Sequence, residues 1–260
     1  MSCLLKNITD HIPCDAIAGG TNVMVSAVVS DSRKIQPGAL FVAVKGLHYD
    51  GHDFIEMAIE KGATSIICEN LPGETPPGVS FIKTPDSAHA LGMASGIFFV
   101  NPSHHVKLVG ITGTNGKTST ATLLYEAFRD LGYKTGLIST VRILSDNEEI
   151  ESTHTTPDPI TLNALLKKML DMNCSHVFME VSSHAVVQKR IAGLRFSGGV
   201  FTNITHDHLD YHQSFRNYLY AKKAFFDALP KDAFALLNAD DKNAGIMGQN
   251  TRAVKKYYSL

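Results

Sequence analysis

A surplus of either charge is missing from this sequence: 24 Lys plus Arg stand against 25 Asp plus Glu, a formal net charge of −1. No basic field gathers nucleic acid or an anionic membrane, so the expected partners are small molecules; a monomer is expected. Cysteine is scarce as well. Cys3, Cys14, Cys68 and Cys174 lie far apart and form no CxxC pair, a spacing that predicts free thiols in a reducing compartment. No run is long and apolar enough to span a bilayer, and the first residues, with Lys6, Asp10 and His11 among them, carry no signal-peptide core. These absences place the expected protein in the cytoplasm. Nothing in the composition, 44% hydrophobic and 19% charged, suggests disorder.

What is present is enough chain, 260 residues, for one large or two modest domains. Its most informative stretch is Val106 to Thr118, VKLVGITGTNGKT. An apolar run leads into Gly113, Thr114, Asn115, Gly116, Lys117, Thr118 and Ser119, and Ala121, Leu123, Leu124, Ala127, Phe128 and Leu131 then recur at helical spacing. Strand, glycine-rich loop and helix together make a phosphate-binding pattern. Glycines let several N–H groups face one anion, the helix start adds positive potential, Lys117 reaches terminal phosphates and Thr118 offers a hydroxyl to Mg²⁺. The loop is not a full Walker A: Ile111 occupies the position of the first consensus glycine, and Gly110 comes one residue too early. A Gly-Lys-Thr tripeptide alone would be weak evidence; the strand before it and the helix after it carry the reading.

Residues 1–100 read as a self-contained α/β domain. Strands are expected at Met24 to Val29, Ala39 to Val44, Thr64 to Cys68 and Val79 to Ile82, and helices at Asp53 to Lys61 and Asp86 to Phe99. Between the first two strands, Ser30, Asp31, Ser32 and Arg33 form a polar knot; residue types alone favour a turn, with an anion or nucleobase site as the alternative. Residues 101–260 alternate strand and helix from the phosphate loop onward. A hairpin is expected around Ser145 to Asn147, a helix opens at Asp158-Pro159, and further strands run over Lys134 to Ser139, Val177 to Val181, Gly199 to Ile204, Ala233 to Leu237 and Ala253 to Leu260. The fold class is therefore α/β: a small N-terminal domain followed by a P-loop-type, mostly parallel, doubly wound sheet with its chemistry at the carboxyl ends of the strands.

Three features beyond the loop point to chemistry. Glu180 ends an apolar run, and a carboxylate there is costly unless paired or bound to a cation. The run from Thr205 to His212 alternates His and Asp after a strand, which suits a divalent metal or a phosphate-handling loop. Lys222 falls on the apolar stripe of the helix Ser214 to Leu229, beside Tyr218 and Leu219, where a lysine either snorkels to water or is buried and chemically special; Lys223 is expected to face solvent. His104 and His105 read as surface linker.

Taken in order, TGTNGKT, the Thr155-Thr156-Pro157 triplet, EVSSHAVVQKR and TNITHDHLDYH with the following YAK resemble the Mur ligases of peptidoglycan precursor synthesis. DSRKIQPGALFVAVKG and DGHDFI extend the resemblance to the N-terminal domain. Among those ligases the chain is most similar to the type that adds the third residue of the stem peptide. The resemblance implies ATP-dependent amide formation through an acyl phosphate, joining meso-diaminopimelate or L-lysine to UDP-N-acetylmuramoyl-L-alanyl-D-glutamate. It implies ATP and two Mg²⁺ ions as cofactors, with a lysine carbamate made from CO₂. Gly113 to Ser119 would hold ATP; Thr118, Glu180, His208 and Lys222, the last as the carbamate, would serve the metals; Lys117, Glu180, His208 and Lys222 would form the catalytic set. Thr155, Thr156, Ser182, Gln188 and Arg190 would touch the muramoyl-peptide, and residues 1–100 would bind the uridine diphosphate through Ser30, Ser32 and Arg33. Such ligases continue past Leu260 with a third domain, so this stretch alone is expected to be inactive. A folylpolyglutamate synthetase type, a P-loop kinase or switch, and a non-catalytic sugar-nucleotide binder are the competing readings.

Overall fold

The computed structural model describes all residues except 47–48, 147, 151–155, 208 and 260. The chain divides into two compact units, Met1–Asn101 with Ile191–Leu194, and Pro102–Arg190 with Arg195–Leu260.

The first unit contains β1 (Cys3–Leu4), α1 (Leu5–Thr9), β2 (Ala16–Ala18), β3 (Met24–Val25), β4 (Ala27–Val29), β5 (Ala39–Val42), α2 (Ile55–Glu60), β6 (Ala63–Cys68), β7 (Ser80–Lys83) and α3 (Ser87–Phe98). Its main sheet has the order β2-β7-β6-β5-β4, parallel except for β2. The strand expected over Met24 to Val29 is two strands. Ser26 interrupts it by giving its N–H to Gly38 and its hydroxyl to the Pro37 carbonyl (2.8 Å), so Met24–Val25 pairs with β1 while Ala27–Val29 joins the main sheet. The helix expected from Asp53 begins at Ile55, because Asp50 accepts from the His52 N–H and sets a 3₁₀ turn over Gly51–Phe54. Phe41, Ile55, Ala58, Ile66 and Phe81 fill the core beneath.

The second unit runs β8 (Lys107–Thr112), α4 (Lys117–Asp130), β9 (Thr135–Ile138), β10 (Ile143–Ser145), β11 (Glu148–Ile150), α5 (Pro159–Asp171), β12 (His176–Glu180), α6 (Ser183–Val187), β13 (Gly198–Phe201), α7 (Leu209–His212), α8 (Phe215–Asp227), β14 (Phe234–Asn238), α9 (Ala244–Met247) and β15 (Val254–Tyr258). The sheet order is β11-β10-β9-β12-β8-β13-β14-β15, parallel from β9 to β15, with the β10–β11 hairpin antiparallel at one border. It is wound on both faces. Ala121 and Tyr125 of α4 pack with Val109, Ile111, Leu137, Phe178 and Val200 on one side. On the other, Phe225 of α8 lies so close to Gly110 and Gly199 that a β-carbon would come within 2.6 and 2.8 Å of its ring. β8 sits between β12 and β13, the next strands reached from opposite directions, so the loop after β8 opens into the crevice where α/β sheets bind ligands. All four cysteines are free thiols, and among the described residues no helix is long and apolar enough to cross a membrane.

Candidate functional site

The phosphate-binding pattern takes its shape from backbone freedom at two glycines. Gly116, with φ of 81°, adopts the left-handed conformation that glycine enters without a β-carbon penalty, and it starts α4 without any side-chain cap. The first N–H groups of the helix thus lack an internal partner and point the positive end of its dipole toward the loop, which favours an anion there. Gly113 is required by space: a β-carbon would stand 1.9 Å from Thr202 Oγ1 and 3.0 Å from the Asn203 carbonyl oxygen.

Lys117 folds back over this loop, its Nζ donating to the carbonyls of Gly113 (3.0 Å) and Thr114 (2.9 Å). Burial lowers its pKa, while the carboxylates of Glu180 and Asp207 act in the opposite sense. Glu180, at the carboxyl end of β12, is 1% exposed, so its charge must be answered locally. Thr118 Oγ1 (2.9 Å) and the Thr140 N–H (2.8 Å) both donate to its Oε1, and Thr140 Oγ1 donates to Oε2 (3.3 Å). Lys222 is equally buried; its Nζ donates to the Gly113 carbonyl at 2.8 Å and lies 4.6 Å above the Tyr218 ring. Desolvation, reinforced by Lys117, brings its pKa down to about 7 against the pull of Asp207.

Lys117, Thr118, Thr140, Thr156, Glu180, Ser182, Ser183, His184, Arg190 and Lys222 line one cleft of about 310 Å³. Thr156 Oγ1 donates to the Glu180 carbonyl (2.9 Å) and accepts from the Ser182 N–H (3.3 Å), so this threonine stitches the segment before α5 to the end of β12. The Arg190 guanidinium is held by its own neighbours: Nε and Nη2 donate to Gln188 Oε1 at 2.9 and 2.6 Å, and Nη1 donates to the Thr156 carbonyl at 2.7 Å. Asn115 and Ser119 are exposed on the loop and the first turn of α4, and Thr114 binds Tyr218 Oη through its hydroxyl (3.1 Å). Thr155 and His208 lie outside the described residues.

Ser30, Ser32 and Arg33 belong to the first unit, where they line a separate cavity of about 640 Å³ with Asp31, Phe41, Tyr49, Phe54 and Met57. The polar knot is a 3₁₀ turn, Ser32–Lys34, capped by Asp31. Arg33 grips Asp31 in a fork, 2.9 Å from Nε and 2.8 Å from Nη2, and that contact holds the Asp31 carboxyl down at about 2.

One expectation needs correction. Lys223, expected in solvent, is 2% exposed and pairs with both carboxylate oxygens of Asp227 (2.8 and 2.6 Å); a carboxylate one turn on supplies the neutralisation that water would otherwise provide. In the His-Asp run, His212 is buried with Nε2 2.9 Å from Ser183 Oγ, and the exposed His206 packs on Phe215. Sequence reading also passed over Thr140 and Asn203. Asn203 had a signal, since it stands in TNITHDH; Thr140 had none, because its role depends on a carboxylate 40 residues away.

A glycine loop, an uncapped helix start, a buried acid bonded to the loop threonine and a buried lysine define a nucleotide-binding α/β protein of the P-loop kind. The chain belongs to the Mur ligase family: the Mur ligase middle domain matches residues 111–259 and the Mur ligase family catalytic domain matches residues 24–95. It is 54% identical over 98% of its length to the UDP-N-acetylmuramoyl-L-alanyl-D-glutamate–2,6-diaminopimelate ligase of Cytophaga hutchinsonii and 56% identical over 98% to that of Phocaeicola vulgatus, covering 53% of each. The chain thus spans about half the length of the curated relatives it matches. In fold, it is similar to a solved UDP-N-acetylmuramoyl-L-alanyl-D-glutamate–2,6-diaminopimelate ligase, with a TM-score of 0.81 at 24% identity over all of this chain and 53% of the other. It is also similar to MurF from Acinetobacter baumannii, with a TM-score of 0.66 at 17% identity over 99% of this chain and 53% of that one.

Proposed function

We propose that this chain carries the nucleotide and UDP-sugar sites of an ATP-dependent ligase that extends UDP-N-acetylmuramoyl-L-alanyl-D-glutamate by one amino acid. The named relatives favour 2,6-diaminopimelate over L-lysine as that amino acid. The observation that carries the reading is the bond between Thr118 and Glu180 at the mouth of the glycine loop: a hydroxyl and a carboxylate 2.9 Å apart, beside the buried Lys222 and the half-buried Lys117. This donor set is all oxygen, which suits Mg²⁺ and offers little to softer metals. Among the described residues no group of three or more His, Cys, Asp or Glu could hold a metal alone, and Mg²⁺ in phosphate sites takes one or two carboxylates and completes its shell from phosphates and water.

In this reading the substrate carboxylate attacks the γ-phosphate of ATP, giving an acyl phosphate and ADP, and the incoming amine then displaces phosphate. Each step crowds negative charge. Mg²⁺, when bound, would neutralise part of that charge and align the phosphates. Lys117 would leave its two carbonyl partners for the phosphates, the start of α4 would meet them with N–H groups, and Glu180 would hold the metal from the β12 side. Arg190, already fixed by Gln188 and Thr156, would offer its charge to a carboxylate of the muramoyl-peptide. Lys222 is the residue assigned as carbamate: with a pKa brought to about 7 it would supply neutral amine for CO₂ at ordinary pH, and the carbamate, formed with loss of a proton, would offer oxygen to a second metal. The turn at Ser32 and Arg33 is assigned to the uridine diphosphate. Calorimetric titration with UDP-N-acetylmuramoyl-L-Ala-D-Glu and with ADP plus Mg²⁺ tests the reading; saturable binding of both is expected, and failure of either removes the corresponding site.

A further inference from the structure

The glycine loop is too short to fix its own shape. A Walker A loop has four residues between its first glycine and the Gly-Lys pair; here only Thr114 and Asn115 separate Gly113 from Gly116. What defines the loop instead is a set of ties to the residues that follow β13. Asn203 presents its amide edge-on to the backbone of Asn115: Oδ1 accepts from the Asn115 N–H at 3.0 Å and Nδ2 donates to the Asn115 carbonyl at 3.1 Å. Thr202 Oγ1 donates to the same carbonyl at 2.7 Å, and the Asn203 carbonyl accepts from the Thr114 N–H at 2.8 Å. The β-carbon that Gly113 lacks would fall on this Thr202-Asn203 segment, so the loop meets it at Gly113 as well as at Thr114 and Asn115.

The chemistry at Asn203 is narrow. A backbone N–H only donates and a carbonyl only accepts, so the facing side chain must offer one acceptor and one donor from a single planar head. Asp has the reach but two acceptors, and Ala has neither. The consequence for ligand binding is specific too: the Asn115 N–H is consumed inside the protein, which leaves the phosphate to the N–H groups from Gly116 into α4.

We propose that Asn203 is a positioning residue that pre-forms the phosphate loop, supplying from the segment after β13 the hydrogen bonds that a longer loop would make within itself; this rests on the nucleotide reading above. The test uses the purified chain with ADP plus Mg²⁺ as probe, and measures affinity, thermal melting and the exchange rate of the Asn115 amide proton. Asn203→Ala is expected to weaken ADP at least tenfold and to speed exchange at Asn115 at least tenfold. Asn203→Asp sets a carboxylate oxygen against the Asn115 carbonyl and is expected to weaken ADP further. Wild-type ADP affinity in both variants overturns the proposal, as does weakened affinity with unaltered Asn115 exchange in Asn203→Ala. If either variant fails to fold, Thr202→Val, which removes one tie to the same carbonyl, decides: a several-fold loss of ADP affinity supports the proposal and no loss overturns it. Absence of ADP binding by the unmodified chain would instead remove the nucleotide reading itself.

Discussion

Lys222 occupies a position that works against its own charge. A lysine in the unfolded chain titrates near 10.4, whereas this one is brought to about 7, chiefly by burial. Between those values the unfolded state binds more protons, so stability rises with pH from about 7 to about 10, and below pH 7 the penalty is fully present. Its size is on the order of 5 kcal/mol. Lys222→Met is therefore expected to raise the melting temperature at pH 7 and to flatten that rise; a melt unchanged at pH 7 would contradict the burial penalty. The Gly113 carbonyl keeps Lys117 as a donor in the variant. Glu180 predicts the converse, because its neighbours are donors. Glu180→Gln keeps an oxygen for Thr118 and the Thr140 N–H, so the fold should survive while the Mg²⁺-dependent part of ADP affinity falls at least tenfold. Equal Mg²⁺ dependence in the two proteins, read by titration at fixed ADP, would remove Glu180 from the metal site.

At the level of elements, the loop and its flanking strand and helix were legible because each has a period: an apolar run through Thr112, then Ala121, Leu124 and Phe128 on one stripe. The longer helices were legible from their caps, as at Asp158 before Pro159 and Ser214 before Phe215. The short elements α6, α7, α9 and β2 were not, since three to five residues carry no periodic signal. Nor was Thr140, which acts on a residue distant in sequence; Asn203 could have been read from its place in TNITHDH, and Lys223 from Asp227 one turn on. Gly113→Ala tests the loop as an element. Its β-carbon must displace Thr202, which breaks that residue's bond to Asn115, and a loss of about 1–3 kcal/mol of stability is expected, together with weaker ADP binding. Arg190→Ala removes a guanidinium already held in place by Gln188 and Thr156. If it makes a charge-assisted bond to the muramoyl-peptide, affinity falls by roughly 1.5–3 kcal/mol. Unchanged affinity in calorimetry would displace Arg190 from that site.

For the whole molecule, the proposed sites fall in different units, the glycine loop in Pro102–Arg190 with Arg195–Leu260 and the Ser32 turn in Met1–Asn101. A ligand at a hundred times its Kd adds about 2.7 kcal/mol to the state that binds it. ADP with Mg²⁺ and UDP are each expected to raise thermal stability, and to do so additively when present together; an effect of one abolished by the other, in scanning calorimetry, would contradict separate sites. The ties at Asn115 carry a further consequence for how the chain is made. β8 finds its partners in β12 and β13, and the loop finds its struts at Thr202 and Asn203, 87 and 88 residues downstream of Asn115. Contacts of such separation are slow to close, and parallel pairing rewards the chain only after the intervening helices have formed. A ribosome that has delivered residues through α4 has therefore delivered every glycine and the lysine of the loop without yet delivering a nucleotide site. That site comes into being only when Asn203 emerges, and the apolar residues of β8 have no strand on either side until β12 and β13 have been delivered.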